Sequence, residues 1–187
     1  MISSQDELKA PRKLMMAGKG GRMRKRTSQD LETYLSSRGI AAEVIKLPVD
    51  TLSVKEAARA VGVACDQIVK SLLLNVSGRE VLVLGHGLAP VDRGKVAAYF
   101  AVAKHRVRLA TRSEVEKRTG YAAGAVPPLG HDEGLLILAS ARLRDYDLLY
   151  AGGGATNVLL RITSEDLLTN IDAEEIDLME HPPEQSA

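Results

Sequence analysis

The apolar residues of this chain come in short runs separated by turn formers, and this pattern constrains the fold more than any other feature. Residues 68–76 and 81–84 are strongly apolar and are joined through Ser77-Gly78-Arg79, which predicts a hairpin of two largely buried strands. Further apolar runs at 41–47, 107–110, 135–139, 147–151 and 158–162 predict five more short strands. None approaches the roughly 20 residues that span a bilayer. Leu14-Met15-Met16-Ala17 is also shorter than the roughly 7–15 apolar residues of a secretory signal, so a cytoplasmic protein without a membrane segment is expected.

Between these strands lie helix signals. Residues 30–38 form a short helix closed by Gly39. Ser53-Val54-Lys55-Glu56 has the spacing of a capping box and leads through Ala57, Ala58, Ala60 and Val61 to Gly62. Asp92 can cap a helix that buries Val96, Ala97, Tyr99 and Phe100, and further helices are expected at 113–118 and from 164 to 168. Helices and strands interleave without the strict alternation of a doubly wound sheet, which favours an α+β fold around a mixed sheet.

Charge divides the chain into three parts. Eight basic residues from Lys9 to Arg26 have no acid between them, six acids follow from Asp172 onward with no Lys or Arg, and the net charge is only +1. The expected organisation is a flexible basic extension over 1–28, a folded domain over 29–171 and an acidic tail over 172–187. Like-charge blocks are usually solvated, and the functional reading of the basic one is an arm for phosphates. A single cysteine, Cys65, excludes a disulfide scaffold or a cysteine metal cage. One Phe, five Tyr and no Trp leave little for base-stacking platforms.

Three features can carry chemistry. Lys70 lies inside the apolar run 68–74, where alternation places it with Ile68 and Leu72. Either its stem packs while the ammonium reaches solvent, or the ammonium points into a cleft toward an anion or carbonyl. The loop 119–131 is rich in Gly and Pro, contains Pro127-Pro128 and ends at His131; it either shapes a pocket or is a rigid surface connection. His131 is an acid–base candidate or simply a solvated loop histidine. Gly152-Gly153-Gly154 either exposes backbone N–H groups to an oxyanion or forms a plain turn. A dinucleotide fingerprint, a phosphate loop, a nucleophile elbow and a clustered metal-ligand set are all missing.

The segments S-V-K-E-A-A, G-V-A-C-D-Q-I-V-K-S-L-L-L, V-D-R-G-K-V-A, T-G-Y-A-A-G-A-V-P-P-L-G-H and Y-A-G-G-G occur in this order. Together they resemble the YbaK/EbsC/ProX family of aminoacyl-tRNA editing domains, related to the insertion domain of bacterial prolyl-tRNA synthetases. The resemblance implies a mixed, barrel-like sheet surrounded by helices. It implies hydrolysis of a mischarged aminoacyl-tRNA at its acceptor end, with tRNA(Pro) carrying alanine or 2-aminobutyrate as the expected substrate class. Prolyl-tRNA synthetase is a candidate partner, and no cofactor or metal is implied. Lys70 and the backbone of Gly152, Gly153 and Gly154 would act on the ester and its adenosine; Ser71, Tyr121, Gly124, Ala125, Val126, Pro127, Gly130 and His131 would surround the amino acid. Members similar to cysteinyl-tRNA deacylases carry a second Gly and two serines where this chain has Ala125, Pro127 and Gly152, which argues against cysteine or serine as the removed residue. A non-catalytic module that binds aminoacyl-tRNA or docks on a synthetase is the alternative.

Overall fold

The computed structural model describes residues 24–132 and 134–180. Most of the basic extension and the end of the acidic tail lie outside the described residues. The elements run α1 (Ser28–Arg38), β1 (Ala42–Lys46), α2 (Val54–Val61), β2 (Val69–Val76), β3 (Arg79–His86), α3 (Arg93–Tyr99), β4 (Val107–Leu109), α4 (Arg112–Thr119), β5 (Leu136–Ser140), β6 (Leu148–Gly152), β7 (Val158–Thr163), α5 (Ser164–Thr169) and β8 (Ala173–Ile176). The capping signals act where they were expected: the Ser53 hydroxyl accepts from Glu56 N–H, the Asp92 carboxylate accepts from Gly94 N–H, and Gly39 and Gly62 close their helices in the left-handed region.

The strands form two sheets rather than one closed barrel. A three-stranded antiparallel sheet has the order β1-β7-β6, and a five-stranded mixed sheet has the order β4-β2-β3-β5-β8. In the larger sheet β5 is parallel to both β3 and β8, while the β2–β3 hairpin and β4 are antiparallel. The hairpin turns at Ser77-Gly78, both with positive φ, as a tight two-residue connection requires. The two sheets touch where Ile68 bridges Tyr150 in parallel.

Strand β3 is buried on both faces, which is why residues 81–84 read as a continuous apolar run instead of an alternation. Leu82 and Leu84 join a core with Leu31 and Leu35 of α1, whereas Val81 and Val83 pack with Val96 and Ala97 of α3. A third cluster sets Ala57 and Ala58 of α2 against Leu47, Ile68, Tyr150 and Leu159.

Both ends of the described chain are more structured than their charge suggests. Arg26 N–H donates to Gly120 C=O at 2.9 Å, its guanidinium donates to Gly130 C=O at 2.6 Å, and it pairs with Asp132. At the other end Ala173–Ile176 is a strand within the segment read as an acidic tail. Its acids sit on an exposed sheet edge, where charge is tolerated, while Leu178 and Met179 just beyond it are buried against α3. Lys95 of α3 pairs with Asp177 and donates to Met179 C=O at 2.8 Å. The six acids mask this small apolar set in a sequence reading. Leu178→Ala is therefore expected to destabilise the protein by about 2–5 kcal/mol in a urea melt, the cost of a core cavity and not of a change in a solvated tail.

Candidate functional site

Strand β2 carries an edge that the larger sheet leaves open. Gly87 N–H donates to Ile68 C=O at 3.0 Å, so in the β2–β3 ladder the backbone groups of Ile68, Lys70 and Leu72 turn toward β3. Those of Val69, Ser71 and Leu73 turn the other way. Ala110 N–H covers Leu73 C=O at 2.9 Å, and β4 pairs with β2 only from Leu74 onward. Among the described residues no strand pairs with Ser71 on that edge.

A cleft of about 300 Å³ opens there, between the two sheets. Ile68 and residues 69–72 of β2 form one wall; Ala151 and Gly152 of β6 with Val158 and Leu159 of β7 form another. Thr51, Leu52, Ser53 and Val54 lead into α2 along the mouth, and Gly124 and Val126 reach in from the Gly/Pro loop. The structure thus brings Lys70, Ser71, Gly124, Val126 and Gly152 to one place. Tyr121, Ala125, Pro127, Gly130, His131, Gly153 and Gly154 do not line it.

Lys70 leaves β2 on the same face as Leu74 and Val76 and passes over Gly85. A Cβ built on Gly85 would lie 3.1 Å from both Met179 Sδ and Val91 Cγ2 and in ordinary contact with Lys70 Cε at 3.5 Å, so the glycine admits Met179 and Val91 beside the lysine stem. The half-buried ammonium donates to Ala89 C=O at 2.5 Å. Burial lowers its pKa, and the Asp66 carboxylate works in the opposite direction. The Ser71 hydroxyl is buried with no partner among the described residues. It is the polar side-chain atom of the cleft wall that most needs a ligand's hydrogen bond.

The glycine run has a steric role. Gly153 N–H donates to Val158 C=O and Gly154 N–H to Ala125 C=O, both at 2.9 Å, so both donors are already used and do not face an oxyanion. A Cβ on Gly152 would stand 2.7 Å from Val126 C=O, one on Gly153 2.8 Å from Val158 C=O, and one on Gly154 2.9 Å from Ser28 N. Three backbones close on this run because it has no side chains.

Most of the loop from Tyr121 to His131 is likewise packed inside. Tyr121 is buried in the main core beneath α1, and His131 meets its ring edge-on at 6.3 Å. His131 Nε2 lies 2.8 Å from Pro127 C=O, and since a carbonyl only accepts, Nε2 carries the proton. The other ring nitrogen is buried without a partner. The histidine therefore ties Pro127-Pro128 to the end of the loop. Desolvation pushes its pKa down to about 4, against which the Pro127 hydrogen bond acts weakly.

Sequence reasoning missed the mouth of the cleft. Thr51 N–H donates to Thr156 C=O at 2.8 Å, its hydroxyl points to the same oxygen, and Thr156 donates to Asp50 at 2.7 Å. These partners are over a hundred residues apart, and nothing in the local sequence marks them. His86 was also missed; it pairs in register with Val69, and burial together with the Arg142 guanidinium lowers its pKa. No group of three metal-ligating side chains forms among the described residues, and no described helix is long and apolar enough to cross a membrane.

Residues 48–169 match the family model of the aminoacyl-tRNA editing domain. The chain belongs to that family. It is 36% identical over 103 residues to proline–tRNA ligase of Streptomyces coelicolor, covering 55% of this chain and 18% of the ligase. It is 34% identical over 97 residues to the ligase of Limosilactobacillus fermentum, covering 17% of that protein. The chain spans less than a fifth of either ligase. The uncharacterised protein YwhH of Bacillus subtilis (strain 168) is 24% identical over 140 residues, covering 74% of this chain and 87% of YwhH. A solved structure described as a candidate trans-editing enzyme for prolyl-tRNA synthetase superposes with a TM-score of 0.75 at 35% identity, covering 82% of this chain and 97% of that one.

The histidine gives a stability prediction of defined sign. Unfolded, His131 titrates near 6.5, whereas in the fold its pKa is about 4. Between these values the unfolded chain binds more protons, so stability is complete above pH 6.5 and falls as the pH drops toward 4, by on the order of 3 kcal/mol. In urea melts at pH 7 and pH 4.5, His131→Gln is expected to lose less stability than the parent over this interval.

Proposed function

We propose that this protein is an aminoacyl-tRNA deacylase that acts in trans on tRNA(Pro) carrying a small non-cognate amino acid of the alanine or 2-aminobutyrate class. The observation that carries the reading is the cleft of about 300 Å³ at the open edge of β2, lined by Lys70, by Ser71 with its unpartnered hydroxyl, and by Val126 and Val158. That is the lower end of the roughly 300–1,000 Å³ typical of small-ligand sites, suited to an aminoacyl group with part of its nucleoside.

The chemistry needs no protein nucleophile. An aminoacyl ester is already activated: water adds to the carbonyl carbon, negative charge builds on its oxygen, and the bond to the ribose oxygen breaks as that oxygen regains a proton. Catalysis can rest on orientation and on stabilising the developing charge. Lys70 has three donors, of which Ala89 C=O engages one, and its cation serves the ester carbonyl or the terminal phosphate. Ser71 supplies a hydroxyl, and its backbone N–H and C=O face the cleft to hold polar groups of the aminoacyl moiety. Because the Gly153 and Gly154 N–H groups are engaged, this reading assigns the glycine run to shaping the cleft wall. An editing site is warranted physically, since a synthetase pocket separates residues differing by one methylene by only about 1–3 kcal/mol.

The test is ester loss from tRNA(Pro) charged separately with alanine, 2-aminobutyrate, serine, cysteine and proline. Rapid loss of alanine or 2-aminobutyrate with proline spared is expected, and Lys70→Ala should lower kcat/KM at least 100-fold. Binding of charged tRNA without turnover would instead establish a binding or synthetase-docking module. Gly152→Ala places a methyl 2.7 Å from Val126 C=O and is expected to lower kcat/KM at least tenfold while the protein remains folded by circular dichroism.

A further inference from the structure

The two edges of the larger sheet differ in how their charges are paired. At one edge Glu175 of β8 is held by the Arg144 guanidinium at 2.6 Å and Asp177 pairs with Lys95, while the other edge strand, β4, is flanked by Lys104, His105, Arg106 and Arg112. Four inter-strand steps of about 4.8 Å separate the two edges by roughly 19 Å. Arg108, on β4 itself, is held by both oxygens of Glu114 at 2.8 and 2.6 Å and is largely neutralised. Lys104, Arg106 and Arg112 are exposed, and none makes an ion pair among the described residues.

The position of this edge gives the charge a direction. Strands β4 and β2 are antiparallel, Val107 pairs with Val76 and Leu109 with Leu74, and Ala110 N–H meets Leu73 C=O. The chain from Lys104 to Arg112 thus runs along the same edge of β2 that opens at Ser71, toward the cleft. From Val76 to Ser71 the strand covers about 17 Å. Resting on the deacylase reading above, we propose that Lys104, Arg106 and Arg112 form a track for the phosphate backbone of the RNA whose aminoacylated end occupies the cleft. With a single Phe and no Trp in the chain, such contact is made by charge rather than base stacking, so it positions the RNA without reading its sequence.

The experiment compares the parent with the triple variant Lys104→Glu/Arg106→Glu/Arg112→Glu, with folding checked by circular dichroism and the corresponding triple alanine variant as a second reading. Three quantities are measured: affinity for uncharged tRNA(Pro) between 50 and 200 mM salt, hydrolysis of alanyl-tRNA(Pro), and hydrolysis of 3′-O-alanyl-adenosine, which carries no phosphate backbone. The track predicts at least tenfold weaker tRNA binding in the charge-reversed variant. It also predicts a log–log salt slope shallower by about 2–3 for the loss of three phosphate contacts. KM for alanyl-tRNA should rise while the rate on alanyl-adenosine stays unchanged. Unchanged tRNA affinity and salt slope would overturn the track, as would a variant whose only change is lost self-association, which would assign the edge to the acidic edge of a second copy. If the parent binds tRNA through this edge but hydrolyses neither ester, the track stands and the deacylase reading fails.

Discussion

The close approach of three backbones to Gly152-Gly153-Gly154 is the constraint on which the site depends. At these positions the Gly/Pro loop, the start of β7 and the start of α1 each come within 3 Å of where a Cβ would be. The hydrogen bonds from Gly153 to Val158 and from Gly154 to Ala125 fix that approach. They hold Val126 against the end of β6 and so set the width of the cleft. Any side chain here would force apart segments from three regions of the chain. The glycines serve as the joint of the site, and their donors are occupied in making it.

An open strand edge is normally a liability, because unpaired N–H and C=O groups invite another chain. Here the unpaired length is short, around Ser71 between the Ile68–Tyr150 bridge and the β4 pairing that starts at Leu74, and it is recessed between two sheets rather than displayed on the surface. Burial lowers the pKa of Lys70 in this stretch, the Asp66 carboxylate opposes the shift, and Ala89 C=O accepts from the ammonium. A half-buried cation and an unpartnered hydroxyl on successive residues of one strand, with open backbone groups at Ser71, are a poor arrangement for stability alone and a suitable one for holding a polar ligand.

The legible parts of this molecule are those set by local chemistry. The capping serine, the helix-closing glycines and the apolar runs identified all five helices and seven of the eight strands at or near their observed limits, α4 within a residue at each end. Lys70, Ser71, Gly124, Val126 and Gly152 were named from sequence and meet in the cleft. Thr51, Ala155 and Thr156 were not, because a threonine stapled to a carbonyl 105 residues away leaves no local trace. Strand β8 was hidden for a different reason: its acids satisfy the edge of a sheet, and edges tolerate the polar pattern that otherwise signals a tail.

By itself the sequence determined the identity of the elements, the α+β class and the kinship with editing domains, because periodicity, caps and ordered motifs are properties of neighbouring residues. Only the tertiary structure decided which edge of β2 stays open, that the Gly153 and Gly154 donors are spent on backbone carbonyls, and that His131 braces Pro127 instead of facing the cleft. The physical reason is that a backbone group's partner is chosen by long-range packing. The same glycine or histidine is a ligand contact or a structural tie according to which carbonyl the packing brings to it.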